Sequence, residues 1–397
     1  MTDKILYGGH VNRNTAAAHA MVSILYHLMA AAAGATLLCT LIISARAAGP
    51  IYPDLAGHWS QQEVESAAQA GWVSGYPDGT FRPEAQVARA EFVKLLLAAV
   101  RLSPDSSAAA YLHQASKAAY SPVLPGDMAD NWLTQAGWTQ VAVDFGLIQA
   151  SDIPDGQFAP TIPLTRGKAA VLIVRALGLV YPASQNGTDP LPFTDTQAIP
   201  GDLRGYALEA ARAGVIQGLP DGSFGSDRPI SRAEAVSMIG RALGWMEQGT
   251  DLDIQVYVKQ PGSAGPGQPL ALTVPAQVID GTVYLPVRDV IRGNAELYGD
   301  SPEAQTWDPA TQELRITLGL PCIFRPGDNR YVGYGYGELN DNAWTFPTQA
   351  RLLYGEVMVP VYGPETNSQT NLWPEVQWDE SDQTVTVFLY EQYAALS

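Results

Sequence analysis

Scarcity sets the first limits on this 397-residue chain: two cysteines, five histidines, and 23 Lys and Arg against 40 Asp and Glu. Cys39 falls in an apolar leader, so the remainder keeps only Cys322 and has no internal disulfide. Its stability must come from burial, and Cys322 reads as a lone buried thiol. His10, His19 and His27 also lie in the leader, leaving His58 and His113, too few for a histidine-built copper centre. The formal charge of −17 and a pI near 4.6 argue against nucleic acid as a partner. An acidic polymer is still open to it, through a few locally placed cations. HExxH, GxSxG, P-loop and EF-hand patterns are absent as well. A 46% apolar and 16% charged composition excludes broad disorder, and the length suits two or three domains with ordinary cores.

The leader is distinctive. Lys4 and Arg13 precede the apolar run 21–44, which ends in Ala45-Arg46-Ala47. That order of basic, apolar and small-x-small segments predicts a signal peptide over 1–47, and the run is also long enough to serve as an uncleaved membrane anchor. Leu38 before Cys39 does not suit a lipoprotein signal. Either way the rest of the chain is expected to be exported. The leader holds Lys4, Arg13 and Arg46 against Asp3, so removing its net +2 takes the charge from −17 to −19.

A Pro-Asp-Gly turn occurs three times, at Asp78, Asp155 and Asp221, with Phe81, Phe158 and Phe224 three residues after each Asp. Eleven residues past each Asp stands an arginine, Arg89, Arg166 or Arg232, opening the strings "RAEFVKLL", "RGKAAVLI" and "RAEAVSMI". Upstream of each turn an Ala-rich segment ends at Gly71, Gly146 or Gly214, which suits the left-handed position that stops a helix. Each unit therefore reads helix, glycine stop, turn, helix. Ser231 and Glu234 form a capping box, Thr165 caps the second unit with Lys168 in place of Glu, and the first has Ala88 at the cap and Glu91. Such two-helix units cannot bury their apolar faces singly, so the three are expected to pack together.

The stretch "YPDLAGHWSQQEVESAAQAGWVSGYPDGTFRPEAQVARAEFVKLLLAAV" closely resembles an S-layer homology motif, and the two later copies resemble degenerate ones. The repeats span 51–102, 120–180 and 192–246. The resemblance implies an all-α, pseudo-threefold bundle of three helix-turn-helix repeats. Its implied ligand is secondary cell-wall polysaccharide, often pyruvylated, held in grooves between repeats. By the same resemblance Arg89, Arg166 and Arg232 are the anion contacts. Asp54, Trp59, Gly75 and Asp78, with Asp127, Trp132, Asp155, Asp195 and Asp221, line or shape the grooves. The chemistry is consistent, because an Arg fork matches the carboxylate of a pyruvyl ketal, and a helix N-terminus adds free N–H groups. The bland alternative pairs each Arg with the Asp of its own repeat and leaves the turns as connectors. Lys168 either supplements Arg166 or marks a dead groove.

After Trp245 the composition changes. Residues 252–259 alternate like a strand, and 260–269 read as a flexible loop. "GTVYLPVRDV" leading to "TWDPATQELRITL" is echoed by "GEVMVPVYG" leading to "QWDESDQTVTVFL", with hairpin signals at Asp280-Gly281 and Tyr354-Gly355. This part, 252–397, resembles the stalk domain named after the N-terminus of copper amine oxidases, mainly β (α+β), in two half-repeats. The helix expected after the second Val-Pro-Val is interrupted by breakers in "YGPETNSQTNLWPE". No cofactor is expected. Tyr331, Tyr334, Tyr336, Trp344 and Phe346 suggest strand packing or a stacking surface. Glu296, Glu303, Glu338, Glu356 and Asp341 are the acids from which a glycosidase pair would have to come.

The expected function is non-enzymatic anchoring of an exported protein to a bacterial cell wall or S-layer surface. The C-terminal part would act as spacer or as a contact for other surface proteins. A wall-targeted enzyme is the competing class, and a membrane-tethered envelope organiser is a third if the leader stays on.

Overall fold

A computed structural model describes residues 51–119, 124–247, 254–298, 305–318, 320–335, 338–345, 348–362 and 375–388. The leader and the segment 363–374 lie outside them, as do the side chains of Cys322, Tyr331, Tyr334, Trp344, Glu338 and Asp341 and the residues Tyr336, Phe346 and Glu303.

The Ala-rich segments are helices: α1 (Gln61–Gln69) in the first repeat, then α2 (Arg89–Ala99) after its turn, and α3 (Ser107–Ala119) leading to the second repeat. That repeat contains α4 (Trp132–Gln135), α5 (Trp138–Phe145) and α6 (Arg166–Ala176); α7 (Val180–Gln185) links to α8 (Gly201–Arg212) and α9 (Arg232–Met246) of the third. Gly71, Gly146 and Gly214 follow α1, α5 and α8 at φ of 82°, 85° and 68°, where a side chain would be strained. The first and third turns close identically, Tyr76 N–H to the Thr80 carbonyl and Leu219 N–H to the Ser223 carbonyl, both at 2.8 Å. The second departs: Asp155 itself takes φ 56° inside a short 3-10 turn. Phe81, Phe158 and Phe224 are buried core residues, which accounts for the aromatic after every turn.

Backbone closes the repeats on one another. Val87 N–H donates to the Ile230 carbonyl, Ile230 N–H to Leu164 and Leu164 N–H to Val87, at 3.1, 3.0 and 2.9 Å, so three segments form a ring. The first two amides of each Arg-initiated helix also leave their own repeat. Arg89 and Ala90 donate to Ile162 and Pro160, Arg166 and Gly167 to Arg228 and Ser226, and Arg232 and Ala233 to Ala85 and Pro83. The expectation that these helix starts offer free N–H groups to a ligand is therefore corrected: neighbouring carbonyls already satisfy them. Gly167 replaces alanine because a Cβ there would lie 3.1 Å from the Ser226 carbonyl and 2.9 Å from Leu203 Cδ1.

The C-terminal half is β-rich. Strands β1 (Gln255–Lys259), β2 (Gln268–Pro269), β3 (Gln277–Ile279) and β4 (Thr282–Pro286) lead into α10 (Val287–Tyr298). An antiparallel meander follows, of β5 (Gln305–Asp308), β6 (Glu313–Leu318), β7 (Leu320–Phe324), β8 (Arg330–Gly335) and β9 (Glu338–Thr345). Then come β10 (Arg351–Leu353), β11 (Glu356–Tyr362), β12 (Glu375–Asp379) and β13 (Thr384–Phe388). The two Pro-containing strands of the internal repeat, β4 and β11, pair antiparallel, and β1 pairs parallel with β13, tying the start of this half to its end. Asp280-Gly281 and Tyr354-Gly355 have positive φ at both positions, the geometry of tight hairpin turns. The 260–269 stretch is not wholly a loop: Gln268-Pro269 forms an edge strand on β1, where proline's missing donor costs nothing.

One buried core runs through both halves. The Gln312 amide reaches the Arg175 carbonyl at 2.8 Å, Tyr111 Oη on α3 bonds Gln305, and Arg351 donates to the Trp245 carbonyl at 2.7 Å. Glu356 is buried against Arg288, whose guanidinium lies 3.7 Å over the Tyr111 ring. Burial, opposed by Arg288 and reinforced by Asp289, pushes the Glu356 carboxyl up to about 7.

Two outcomes test this packing. A Cβ at Gly146 would sit in the Pro309 carbonyl. Gly146→Ala should therefore cost roughly 2–4 kcal/mol in chemical denaturation, from the left-handed φ plus overpacking; an unchanged midpoint would contradict the contact. Because the folded Glu356 binds its proton more tightly than the unfolded chain, its contribution is fullest below the ordinary carboxyl range and is lost as pH rises through about 7. Wild type should lose stability between pH 5 and 7.5 by a slope that Glu356→Gln reduces.

Candidate functional site

The aspartates that precede each repeat's first helix and the helix arginines act on the same peptides. Asp54 accepts from Phe81 N–H (2.9 Å) and Arg82 N–H (2.6 Å), Asp127 from Phe158 and Ala159 (2.8 and 2.7 Å), and Asp195 from Phe224 and Gly225 (2.7 and 2.9 Å). The carbonyl of each of those phenylalanines then accepts an arginine from another repeat. Arg89 Nη1 donates to Phe158 at 2.7 Å, Arg166 Nε to Phe224 at 2.8 Å, and Arg232 Nε to Phe81 at 3.0 Å. So none of Arg89, Arg166 and Arg232 pairs with the aspartate of its own repeat among the described residues. Burial works against the Asp54 charge, but the Phe81 and Arg82 amides outweigh it and hold the carboxyl low.

The other proposed positions are mostly structural. Asp78 holds the Thr80 hydroxyl and amide and pairs with Arg82 at 2.7 Å, which lowers its pKa; the Ser223 hydroxyl and amide do the same for Asp221. Asp155 has Gln157 at that place, so no hydroxyl is offered. Gly75 leaves no room for a side chain, since a Cβ would lie 2.4 Å from the Tyr52 ring. Trp59 and Trp132 are exposed, at 58% and 49%, at the starts of their repeats' first helices.

The three arginines have unequal surroundings. Arg232 is buried, donates also to the Ser74 carbonyl, and pairs with Glu91 across the third-to-first junction. The rings of Tyr76 and Phe81 each lie 4.8 Å from its guanidinium. Arg166 is buried on the carbonyls of Phe224 and Gln217; burial, then the nearby Arg228, lowers its pKa. Arg89 is half-buried, bonds the Phe158 carbonyl, and pairs with no carboxylate among the described residues. It lines a cavity of about 100 Å³ between the first two repeats, and Lys168 lines the same cavity. Asp152 is also there, but the buried Arg175 neutralises it. Lys168 thus lines a cavity with Arg89 of the preceding repeat, not with Arg166, one of the two alternatives left for it, and Glu91 likewise pairs with Arg232 of another repeat, while Glu234 pairs with Arg228.

Comparison with known proteins bears on these junctions. Residues 51–93 and 192–236 match the S-layer homology domain. They are the first and third repeats; the second, with Gly167-Lys168, lies between them. Cell surface glycoprotein 1 of Acetivibrio thermocellus is 31% identical over 180 residues, 43% of this chain and 7% of that protein. A cellulosome-anchoring protein of the same organism is 42% identical over 55 residues, 14% of this chain and 12% of that one. An amylopullulanase of Thermoanaerobacterium thermosulfurigenes is 24% identical over 189 residues, 47% of this chain and 9% of the enzyme. The chain thus spans about a tenth of the length of these relatives. It carries S-layer homology domains and is a secreted protein of the cell wall or S-layer surface.

Sequence reasoning missed Glu91 as the partner of Arg232, and Asp152 with Arg175 beside the first junction. The Glu/Lys/Glu variation at the third helical position was visible; which arginine it faced was not.

Arg232→Ala should lower stability by roughly 3 kcal/mol, because Glu91 and two carbonyls lose their partner. Arg89→Ala should cost about 1 kcal/mol, one hydrogen bond. Urea denaturation of the two variants checks the order, and equal losses would contradict it.

Proposed function

We propose that this protein is held non-covalently on the cell surface by an acidic, pyruvylated secondary wall polysaccharide. The three S-layer homology repeats form a pseudo-threefold bundle, and the polymer's carboxylate enters the cleft between the first two. The observation that carries this reading is the pairing of Arg89 and Lys168 in one cavity, with the neighbouring Asp152 already neutralised by Arg175. A cavity of about 100 Å³ admits a small carboxyl-bearing group while the sugar ring stays outside. The Arg fork supplies directional hydrogen bonds and the ammonium adds a point charge, so a strongly acidic chain holds an acidic polymer through local cations. The exposed Trp59 and Trp132 offer apolar faces on which sugar rings of the same polymer can stack. The C-terminal half, of the stalk type, presents a fixed body to other surface proteins rather than performing catalysis.

Sedimentation with purified walls tests the reading. Wild type should pellet with pyruvylated walls and stay in solution with walls stripped of the ketal. Arg89→Ala combined with Lys168→Ala should abolish pelleting while the circular dichroism spectrum is retained. Undiminished binding by that double variant would overturn the Arg–carboxylate mechanism.

A further inference from the structure

The three junctions share one backbone frame, and the residue at the third helical position differs in charge among them, lysine at Lys168 and glutamate at Glu91 and Glu234. At two junctions the first-position arginine of one helix stands with the third-position residue of the next repeat's helix, and at the remaining one that residue is held by Arg228. Arg89 and Lys168 line one cavity, Arg232 pairs with Glu91, and Glu234 pairs with Arg228 while Arg166 is held on carbonyls.

At the third-to-first junction the Glu91 carboxylate occupies the guanidinium, as a bound carboxylate would. The remaining donors of Arg232 are on the Phe81 and Ser74 carbonyls, and two aromatic rings flank it. At the second-to-third junction Glu234 is drawn aside by Arg228 and by the Ser231 amide, and Arg166 is buried on two carbonyls. At the first-to-second junction the same position is cationic. Glu91 in α2 and Glu234 in α9 each reach back to their own cap amide, Ala88 or Ser231; Lys168 has no acceptor with which to do so and lines the cavity.

We infer that the charge at this third helical position decides which junction accepts an anion: Lys168 opens the first, Glu91 acts as a built-in surrogate for the ligand in the last, and the chain binds one carboxylate-bearing sugar rather than three. The inference rests on the anchoring reading above. It makes Lys168 the residue that determines specificity, and it makes Glu91 a residue whose replacement creates a site.

Calorimetric titration of the full chain with a methyl hexoside carrying a 4,6-pyruvate ketal tests it. Wild type should titrate with one site. Lys168→Glu, at a half-buried side chain, should weaken binding by about tenfold or more by placing a carboxylate on Arg89. Glu91→Lys should add a second site at Arg232. Three sites in wild type, or unchanged affinity in Lys168→Glu, overturns the inference, and the latter result stands even if Glu91→Lys fails to fold. Pelleting with walls separates the two readings. Wild type that pellets with walls yet ignores the ketal overturns this inference and leaves anchoring in place; wild type that does neither overturns both.

Discussion

An α-helix leaves its first amides without partners, and the N-terminal half of this protein is organised around that shortage. Each Arg-initiated helix draws its two missing acceptors from the next repeat, and the ring through Val87, Ile230 and Leu164 fixes the distance at which it does so. No repeat is chemically complete alone. The arginine side chains follow the same direction around the ring, each ending on the phenylalanine carbonyl of the following repeat, while that phenylalanine's N–H is held by an aspartate. Asp, peptide and Arg thus form one polar relay at every junction, over a core of buried aromatic rings.

Within that shared frame the junctions diverge through local charge. A guanidinium already hydrogen-bonded to carbonyls and facing a carboxylate has little left for a ligand. One facing an ammonium repels it and gains from any anion placed between the two. Burial strengthens the contrast, since removing Arg232 from water without Glu91 would be costly, whereas half-buried Arg89 tolerates an empty cleft. The result, among the described residues, is an acidic protein with a recess lined by Arg89 and Lys168.

Local chemistry was legible in the sequence because it depends on neighbours in the chain. The glycine stops, the helix starts at Arg89, Arg166 and Arg232, the Ser231–Glu234 capping box, and the Asp280-Gly281 and Tyr354-Gly355 turns all appear where their residues require them. What needed coordinates was the order around the ring. Nothing in "RGKAAVLI" says whether Lys168 will face Arg89 or Arg166, because that depends on contacts about seventy residues apart in sequence, such as Arg89 to Phe158. For the same reason the reading of helix N-termini as free anion donors failed: the carbonyls that satisfy them come from another repeat. The docking of the C-terminal half had no local signal either, since Pro309 against Gly146 and Gln312 against Arg175 join segments with no shared pattern.

That docking has a mechanical meaning. The C-terminal body grips the second repeat at Gly146 and at the Arg175 carbonyl, and the Arg175 side chain holds Asp152 at the rim of the Arg89–Lys168 recess. A pull on the C-terminal half is therefore delivered to the wall of that recess through these contacts. The second repeat thus couples the C-terminal half to the recess of Arg89 and Lys168.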